Sequence, residues 1–224
     1  MLFTILSISR LLSELERIIT KPITLLKRNG LEEQVDQILK EGKKYHISIL
    51  VGGDALSATT HISLLLDAKD EGIETEVIHG SSIFTAITDT GLSLYKFGKT
   101  VTIPLIEKGP VDTVIQTIKE NYENGLHTLL LLDLNIPENK YLTIPQAITR
   151  LLDTRELSSD TLLVGAARLG SIDPTIKADT AQNLQKYDFG EPPHALVAPG
   201  KLHFIEEEAL EILEIGRASC RERV

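Results

Sequence analysis

The stretch ISILVGGDALSATTHISLLLDAKDEGIETEVI, residues 47–78, decides the fold that we predict for this chain. The apolar residues 47–51 predict a buried strand, and residues 58–70 have the periodicity of a helix that stops at Gly72. Residues 74–78 predict a second strand. A strand, a helix and a strand in this order indicate a parallel sheet with helices packed on its faces.

The first turn of this unit, Gly52-Gly53-Asp54, joins the strand to the helix. Glycine leaves the backbone bare, so a polar ligand can approach N–H groups that larger side chains would cover. The carboxylate disfavours a bare phosphate and suits a ligand that carries hydroxyl groups or a cation. Ligands of such sheets bind beyond the carboxyl ends of the strands. We therefore expect residues 52–57 and 79–83 to lie together at one edge of the sheet.

Helical and strand patterns alternate along the rest of the chain as well. Before the opening stretch the pattern predicts a helix at 5–19, a strand at 23–26 and a helix at 31–43. After it the pattern predicts helices at 111–124, 144–152 and 204–215, strands at 127–133, 161–166 and 195–198, and an extended segment near 172–177. Pro and Gly interrupt the pattern around residues 103–110. We expect two α/β domains, at 1–106 and 107–215.

Composition and charge exclude several classes of protein. The chain has 224 residues, of which 42% are hydrophobic and 25% charged, as in ordinary globular proteins. Its net charge of −9 argues against a nucleic-acid surface, which needs a concentrated basic face. The longest apolar stretch, around Leu129 to Leu132, falls far short of the roughly 20 residues of a membrane span, and no secretion signal is evident. We expect a cytoplasmic protein that binds neither membranes nor nucleic acid.

The last nine residues, 216–224, break sharply in composition from the acidic segment before them and contain Cys220, the only cysteine. A single cysteine excludes an internal disulfide and a cysteine metal site. The segment looks like read-through of a cloning or sequencing adapter, and we expect it to be non-native.

The polar residues by themselves name no catalytic group. The six histidines form no metal-binding pair, and the acidic residues form no EF-hand loop, so no metal site is predicted. The serines lack the G-x-S-x-G turn of a hydrolase nucleophile, and no Walker A motif occurs. For His61 and His79 a packed or capping role is favoured over a catalytic one.

Two further residues follow strand or proline turns and suit ligand contact. His194 comes after Pro192-Pro193 and opens a strand, so it could face a crevice. Arg168 follows another strand and could hold a carboxylate in bidentate fashion, with a surface ion pair as an equally supported role.

Six segments in this order resemble the diphthine synthase branch of the tetrapyrrole methylase superfamily. They are GGDALSATTH, VIHGSSIFTA, GLSLYKFGKTVTIP, GLHTLLLLD, AARLGS and DFGEPPHALVAPGKLHFIEEEAL. The similarity runs from about residue 3 to about residue 213. It implies two α/β domains with S-adenosylmethionine held in the cleft between them.

The resemblance also implies which residues contact the cofactor. The residues that match the cofactor contacts of the family are Asp54, Ser57, Ser82, Ile83, Leu132, Leu169 and His194. Apolar Ile83, Leu132 and Leu169 would enclose the cofactor, and the polar groups would bind its edges. For the carboxylate of the acceptor we predict Arg168 and Lys96 as partners.

The chain departs from the family pattern at two places. Ala55 stands where the family usually has Pro, and Ser57 stands where it has a larger apolar residue; a backbone contact survives both changes. Nothing matches the Gly-Leu-Gly-Leu-x-Asp loop that follows the first strand of the family, so we expect this strand and loop to be missing. Their absence would leave unpaired N–H and C=O groups on a neighbouring strand.

The function that the resemblance implies is methyl transfer in diphthamide biosynthesis. An archaeal homodimer would methylate the amine of a 3-amino-3-carboxypropyl group on a histidine of translation elongation factor 2, forming diphthine. Such an in-line displacement needs aligned reactants and no metal or covalent intermediate. The alternatives are a related corrinoid or ribosomal-RNA methylase, and an inactive fragment that only binds ligands.

Overall fold

The computed structural model describes residues 2–4, 9–26, 34–135 and 138–215. The chain divides into two compact units, Met1–Ser82 and Ile83–Val224. Residues 216–224, with Cys220, lie outside the described residues, as do residues 5–8 and 31–33 of two predicted helices. Among the described helices, none is both long enough and apolar enough to cross a membrane.

The first unit contains a small parallel sheet with helices between its strands. Its strands are β1 (Leu2–Thr4), β2 (Ile23–Leu25) and β3 (Ser48–Leu50), and its helices are α1 (Ser9–Ile19), α2 (Val35–Gly42) and α3 (Ile62–Asp70). The strand order is β2-β1-β3, and both pairs are parallel. The predicted parallel sheet is confirmed in this unit, although the sequence pattern does not predict β1. A small core forms where Leu26 and Ile38 pack with Ile47 and Ile49.

Two predictions for this unit are wrong in detail. The helix predicted at 58–70 begins only at Ile62, because residues 55–58 form a turn in which Ala58 has a φ of 55°. The strand predicted at 74–78 does not form, and residues 73–80 have no regular structure. A strand needs a neighbour that supplies the ladder of hydrogen bonds. Residues 74–76 are all exposed, so this segment also lacks the buried face that would fix it against a sheet.

The second unit is larger and is built on a mixed sheet. Its strands are β4 (Val101–Ile103), β5 (Thr128–Leu132), β6 (Leu134–Asn135), β7 (Lys140–Tyr141), β8 (Leu162–Ala167), β9 (Thr175–Thr180) and β10 (His194–Ala198). Its helices are α4 (Ile83–Ala86), α5 (Asp112–Glu123), α6 (Ile144–Asp153), α7 (Ala181–Leu184) and α8 (Phe204–Ile215), with short 3₁₀ turns at Ile87–Thr90, Leu94–Lys96 and Ile106–Lys108.

The main sheet of this unit has the order β4-β5-β10-β8-β9, and β6 pairs separately with β7. Only β4 and β5 run parallel; β10 is antiparallel to both β5 and β8, and β8 is antiparallel to β9. The mixed α/β architecture predicted for this half is confirmed. Because β10 runs opposite to both its neighbours, its amino end lies beside the carboxyl ends of β5 and β8.

Side chains of the central strands alternate between two cores, one on each face of the sheet. Leu130 and Leu196 belong to the core that includes Ile148 of α6, whereas Leu129 and Val197 belong to the core that includes Leu210 of α8. Successive side chains of a strand point to opposite faces. A continuous apolar run such as that at 129–132 is therefore expected in a strand that is covered on both faces.

The compact units divide between Ser82 and Ile83, and β4 pairs with β5 in the sheet of the second unit. These two units are defined by how densely the residues of the chain contact one another, which is not the criterion of the predicted domain boundary. The domain boundary placed between residues 106 and 107 stays a prediction.

Candidate functional site

The Asp54 carboxylate organises the Gly-Gly-Asp turn of the first unit. Its side chain is only 7% exposed. Oδ1 accepts a hydrogen bond from the Leu56 N–H at 3.0 Å and one from the Ser57 hydroxyl at 2.9 Å. Oδ2 lies 2.8 Å from His79 Nδ1 and accepts from the Gly80 N–H at 3.2 Å. These contacts bring His79 and Gly80 against Asp54, as predicted for the two segments; that residues up to 83 join them stays a prediction.

The four hydrogen bonds keep Asp54 ionised. The bond from the Leu56 N–H contributes most to lowering the pKa of this carboxyl, followed by the bonds from His79 and Ser57, and burial opposes them only in part. A carboxylate offers about four acceptor positions. Because the chain itself fills this number, Asp54 shapes the turn, and a direct bond from Asp54 to a cofactor hydroxyl stays a prediction.

Two glycines let the two segments approach closely. Gly53 has a φ of +92°, in the region that favours glycine. A Cβ on Gly80 would lie 2.7 Å from the Gly53 carbonyl oxygen, which is too close for any side chain. The backbone at Gly52 and Gly53 is exposed, as the predicted ligand-binding turn requires.

Two further predicted polar contacts, Ser57 and Ser82, belong to the first unit. Ser57 is half-buried and bonded to Asp54, and Ser82 is half-buried at the end of the first unit. His61 is also half-buried, and its Nδ1 donates to the Ala55 carbonyl at 2.9 Å. This bond fits the packed role that the sequence favours for His61, which stays a prediction.

In the second unit, three predicted cofactor contacts lie at or next to one edge of the sheet. Leu132 ends β5 and His194 begins β10, and the neighbouring residues Leu131 and Ala195 are paired. Leu132 and His194 also line the same shallow depression. Leu169 is the second residue after the end of β8 and follows Arg168.

The apolar residues of this set are half-buried, so each presents part of its side chain to solvent. Leu132 packs against the core that includes Ile148. Leu169 and Ile83, the first residue of α4, pack against the core on the other face of the sheet.

Both ring nitrogens of His194 are bound by the chain. Nε2 donates to the Gly190 carbonyl at 3.0 Å, and Nδ1 accepts from the Ile144 N–H at the start of α6, at 3.3 Å. Burial is the main cause that lowers the pKa of His194, and the nearby Arg168 adds to it. The ring is therefore neutral, and its two hydrogen bonds connect α6 with the loop before β10.

Arg168 holds the same loop from the other side. Its Nη1 donates to the carbonyls of Phe189 and Glu191, each at 2.7 Å, and Nη2 donates to Thr175 Oγ1 at 2.8 Å. With the bond from His194 to Gly190, the carbonyls of the three successive residues 189–191 all accept hydrogen bonds from these two side chains. The φ of 54° at Arg168 fits a tight turn in a sterically costly region. These contacts give Arg168 a structural role, and its binding of the acceptor carboxylate stays a prediction.

Lys96 belongs to a buried polar network that sequence reasoning misses. Its Nζ donates to the Lys201 carbonyl at 2.6 Å and to Glu206 Oε2 at 2.5 Å. Glu206 Oε1 lies 3.2 Å from Nε2 of His127, whose side chain is fully buried. A role of Lys96 at the acceptor carboxylate likewise stays a prediction.

The sequence contains both residues of this ion pair in segments that carry the family resemblance, but it does not show that they meet. Lys96 lies in the segment YKFG, and Glu206 lies in PGKLHFIEEEAL, two of the segments that carry the family resemblance. Nothing in either segment shows that the two side chains meet. In the part of the chain that the structure describes, no group of three or more His, Cys, Asp or Glu residues could hold a metal ion.

Comparisons with known proteins agree with this architecture. The family model described as Tetrapyrrole (Corrin/Porphyrin) Methylases matches residues 7–185. A diphthine synthase of Methanocaldococcus jannaschii is 41% identical over 209 residues, which are 89% of this chain and 81% of that protein. One from Methanosarcina acetivorans is 40% identical over 221 residues, covering 93% of this chain and 82% of that protein.

A solved structure gives the same result at the level of the fold. A crystal structure of diphthine synthase matches with a TM-score of 0.87 and 34% identity, covering 100% of this chain and 88% of that one. The chain therefore belongs to the tetrapyrrole methylase family and, within it, to the diphthine synthases.

Proposed function

We propose that this chain is an S-adenosylmethionine-dependent methyltransferase that forms diphthine. Its acceptor would be the amine of a 3-amino-3-carboxypropyl group on a histidine of translation elongation factor 2, in diphthamide biosynthesis. The observation that carries the proposal is the identity of about two residues in five with diphthine synthases over about nine tenths of the chain. As the resemblance implies, we further propose that the protein acts in the cytoplasm as a homodimer.

The residues present fit an S-adenosylmethionine ligand. In the first unit, the exposed backbone at Gly52 and Gly53 and the hydroxyls of Ser57 and Ser82 suit its polar edges. In the second unit, half-buried apolar side chains at the edge of the sheet suit its adenine ring and methionine chain. These side chains are Ile83, Leu132 and Leu169. When bound, the cofactor supplies a methyl group on a sulfonium sulfur.

The chain's own contribution to such a transfer would be alignment and exclusion of water. Holding two reactants in a productive geometry removes much of the entropic barrier of a displacement. The rigid turns suit this task, because Asp54 fixes the glycine turn and Arg168 with His194 fixes the loop before β10. We propose Arg168 and Lys96 as candidates for the acceptor carboxylate, although both already make intrachain bonds.

The deciding experiment incubates the full chain with methyl-labelled S-adenosylmethionine and an archaeal elongation factor 2 that carries the 3-amino-3-carboxypropyl histidine. We expect label on the elongation factor, located by mass spectrometry at the modified histidine. A factor with an unmodified histidine is the matched control and should take up no label. Label on a small corrinoid or on ribosomal RNA, with none on the protein, would contradict the proposal.

The cofactor site is tested separately by replacing Asp54 with alanine. Without the carboxylate, the turn loses its bonds to Leu56, Ser57, His79 and Gly80, and hydrogen bonds to a charged group are among the stronger ones. We expect the affinity for S-adenosylhomocysteine, measured by calorimetry, to fall about tenfold or more.

The matched control for this measurement is Asp70→Ala. Asp70 is an exposed acidic residue at the end of α3 in the same unit, so its loss should leave the affinity unchanged. If Asp54→Ala binds as tightly as Asp70→Ala while both variants remain folded, the turn is no part of the cofactor site.

A further inference from the structure

His79 and Asp54 form a dyad in which one ring nitrogen is fixed and the other faces outward. His79 Nδ1 lies 2.8 Å from Asp54 Oδ2, and an ionised carboxylate can only accept hydrogen bonds. Nδ1 therefore carries the proton, and in the neutral ring Nε2 carries the lone pair. The His79 side chain is 70% exposed, whereas that of Asp54 is 7% exposed. The buried partner orients the ring and the exposed edge is left accessible, so the packed or capping role that the sequence favours for His79 does not hold.

Asp54 is suited to this orienting role. Its other hydrogen bonds, from Leu56, Ser57 and Gly80, hold the carboxylate in place independently of His79. Among the residues that the structure describes, Asp54 is the charged group within ion-pair distance of the His79 ring. A carboxylate that fixes the tautomer of a histidine and stabilises its imidazolium form is the arrangement that activates histidine as a base.

Neither of the other two histidines at the predicted site is both exposed and oriented by a carboxylate. Both ring nitrogens of His194 are bonded, to Gly190 and Ile144. His61 is half-buried and its Nδ1 is bonded to a backbone carbonyl. His79 also lies three residues before Ser82, one of the predicted cofactor contacts, and its partner Asp54 is another.

The proposed reaction needs a base at this place. An aliphatic amine is largely protonated at neutral pH, since even the less basic α-amino group of a peptide has a pKa of about 8, and an ammonium nitrogen has no lone pair for attack. A second methylation has the same need, because the first transfer leaves a protonated secondary amine. Histidine is the side chain whose ordinary pKa suits proton transfer at this pH.

We propose that His79 is a catalytic residue that removes the proton from the acceptor amine before each methyl transfer. The N–H bond of the ammonium breaks and its proton joins His79 Nε2, giving an imidazolium beside Asp54. The freed lone pair forms the new N–C bond while the S–C bond of the donor breaks and leaves its electron pair on sulfur. The imidazolium then returns its proton to water. This inference rests on the proposed function.

The kinetic test uses His79→Ala and His79→Gln in the full chain, with labelled S-adenosylmethionine and the modified elongation factor 2. We expect kcat to fall about 10²- to 10⁴-fold in both variants, the usual contribution of a general base. The affinity for S-adenosylhomocysteine should stay unchanged. Added imidazole should restore part of the activity of His79→Ala, which a merely structural role would not allow. His46→Ala, at an exposed histidine of the same unit, should retain wild-type kcat.

A spectroscopic test needs no turnover. Nitrogen-15 NMR of the wild-type protein should show His79 protonated at Nδ1 and not at Nε2 in the neutral ring, and Asp54→Asn should abolish this preference. Wild-type activity in both His79 variants, or a ring protonated at Nε2, would overturn the role of His79 and leave the proposed function standing. A wild-type chain that transfers no methyl group to the elongation factor would overturn both.

Discussion

Replacing Glu206 by alanine should lower the free energy of unfolding by about 3–5 kcal/mol, the usual loss when one partner of a buried ion pair is removed. The Glu206 side chain is 2% exposed. Oε2 accepts from Lys96 Nζ at 2.5 Å and from the His203 N–H at 2.9 Å, and Oε1 accepts from the Ser93 N–H at 2.9 Å and faces His127. Alanine would leave the Lys96 ammonium, whose side chain is 20% exposed, without its carboxylate.

The charge states in this network support the size of the effect. Burial acts to raise the pKa of Glu206, but the hydrogen bonds from Lys96, His203 and Ser93 outweigh it and hold the pKa well below its usual range. Burial lowers the pKa of His127 despite the nearby carboxylate. His127 is therefore a neutral donor to Glu206, and Lys96 is the cation that compensates its charge.

The measurement is urea denaturation of the variant and of two comparisons. Glu208→Ala removes an exposed carboxylate from the same helix α8 and should change the free energy of unfolding by less than about 0.5 kcal/mol. Glu206→Gln keeps the size of the side chain but removes its charge. The decrease in its free energy of unfolding should therefore lie between the decreases of the two alanine variants. Equal stability of Glu206→Ala and Glu208→Ala would show that the network contributes nothing.

The sequence predicts the long, strongly periodic elements well. The helices at Asp112–Glu123, Ile144–Asp153 and Phe204–Ile215 and the apolar strand Thr128–Leu132 lie within about two residues of their predicted bounds. Their signals are local, since the apolar residues recur at the helical spacing or form an unbroken run. Thr143 and Gln146 add a capping box at the start of one helix.

The sequence predicts short strands unevenly, because pairing is decided by segments far away in the chain: the three-residue strands Ile23–Leu25 and Ser48–Leu50 are predicted, and others are not. The strand Leu2–Thr4 has three residues and forms between Ile23–Leu25 and Ser48–Leu50. Residues 74–78 have the composition of a strand and form none, since no neighbour pairs with them in the described structure.

For the candidate site, position was predictable and hydrogen bonding was not. The rule for strand ends predicts that Asp54 meets the segment after residue 78, and the structure has this contact although the strand expected at 74–78 does not form. That the chain would occupy both oxygens of Asp54 is a property of the folded turn. Glu206, Glu207 and Glu208 are likewise indistinguishable in sequence, yet the first is buried and the other two are exposed.

Gly200→Ala should lower the free energy of unfolding by about 1–3 kcal/mol, the usual effect of overpacking. An added Cβ would lie 2.3 Å from the Leu126 carbonyl oxygen and 2.8 Å from the Gly125 carbonyl carbon. These are backbone atoms, which cannot rotate away as the end of a side chain can. Any shift would also strain the bond from the Gly200 N–H to His127 Nδ1 at 3.0 Å, and with it the Glu206 network.

The matched control for Gly200→Ala is Gly42→Ala at the end of α2, where the nearest atom to an added Cβ is Ile73 Cδ1 at 3.4 Å. Alanine favours the helix over glycine by up to about 1 kcal/mol, so this variant should be as stable as the wild type or more so. Thermal unfolding of both variants decides. If Gly200→Ala has the melting temperature of the wild type, the backbone beside residue 200 can shift without loss of stability. The close approach that forms the His127 bond would then not require glycine.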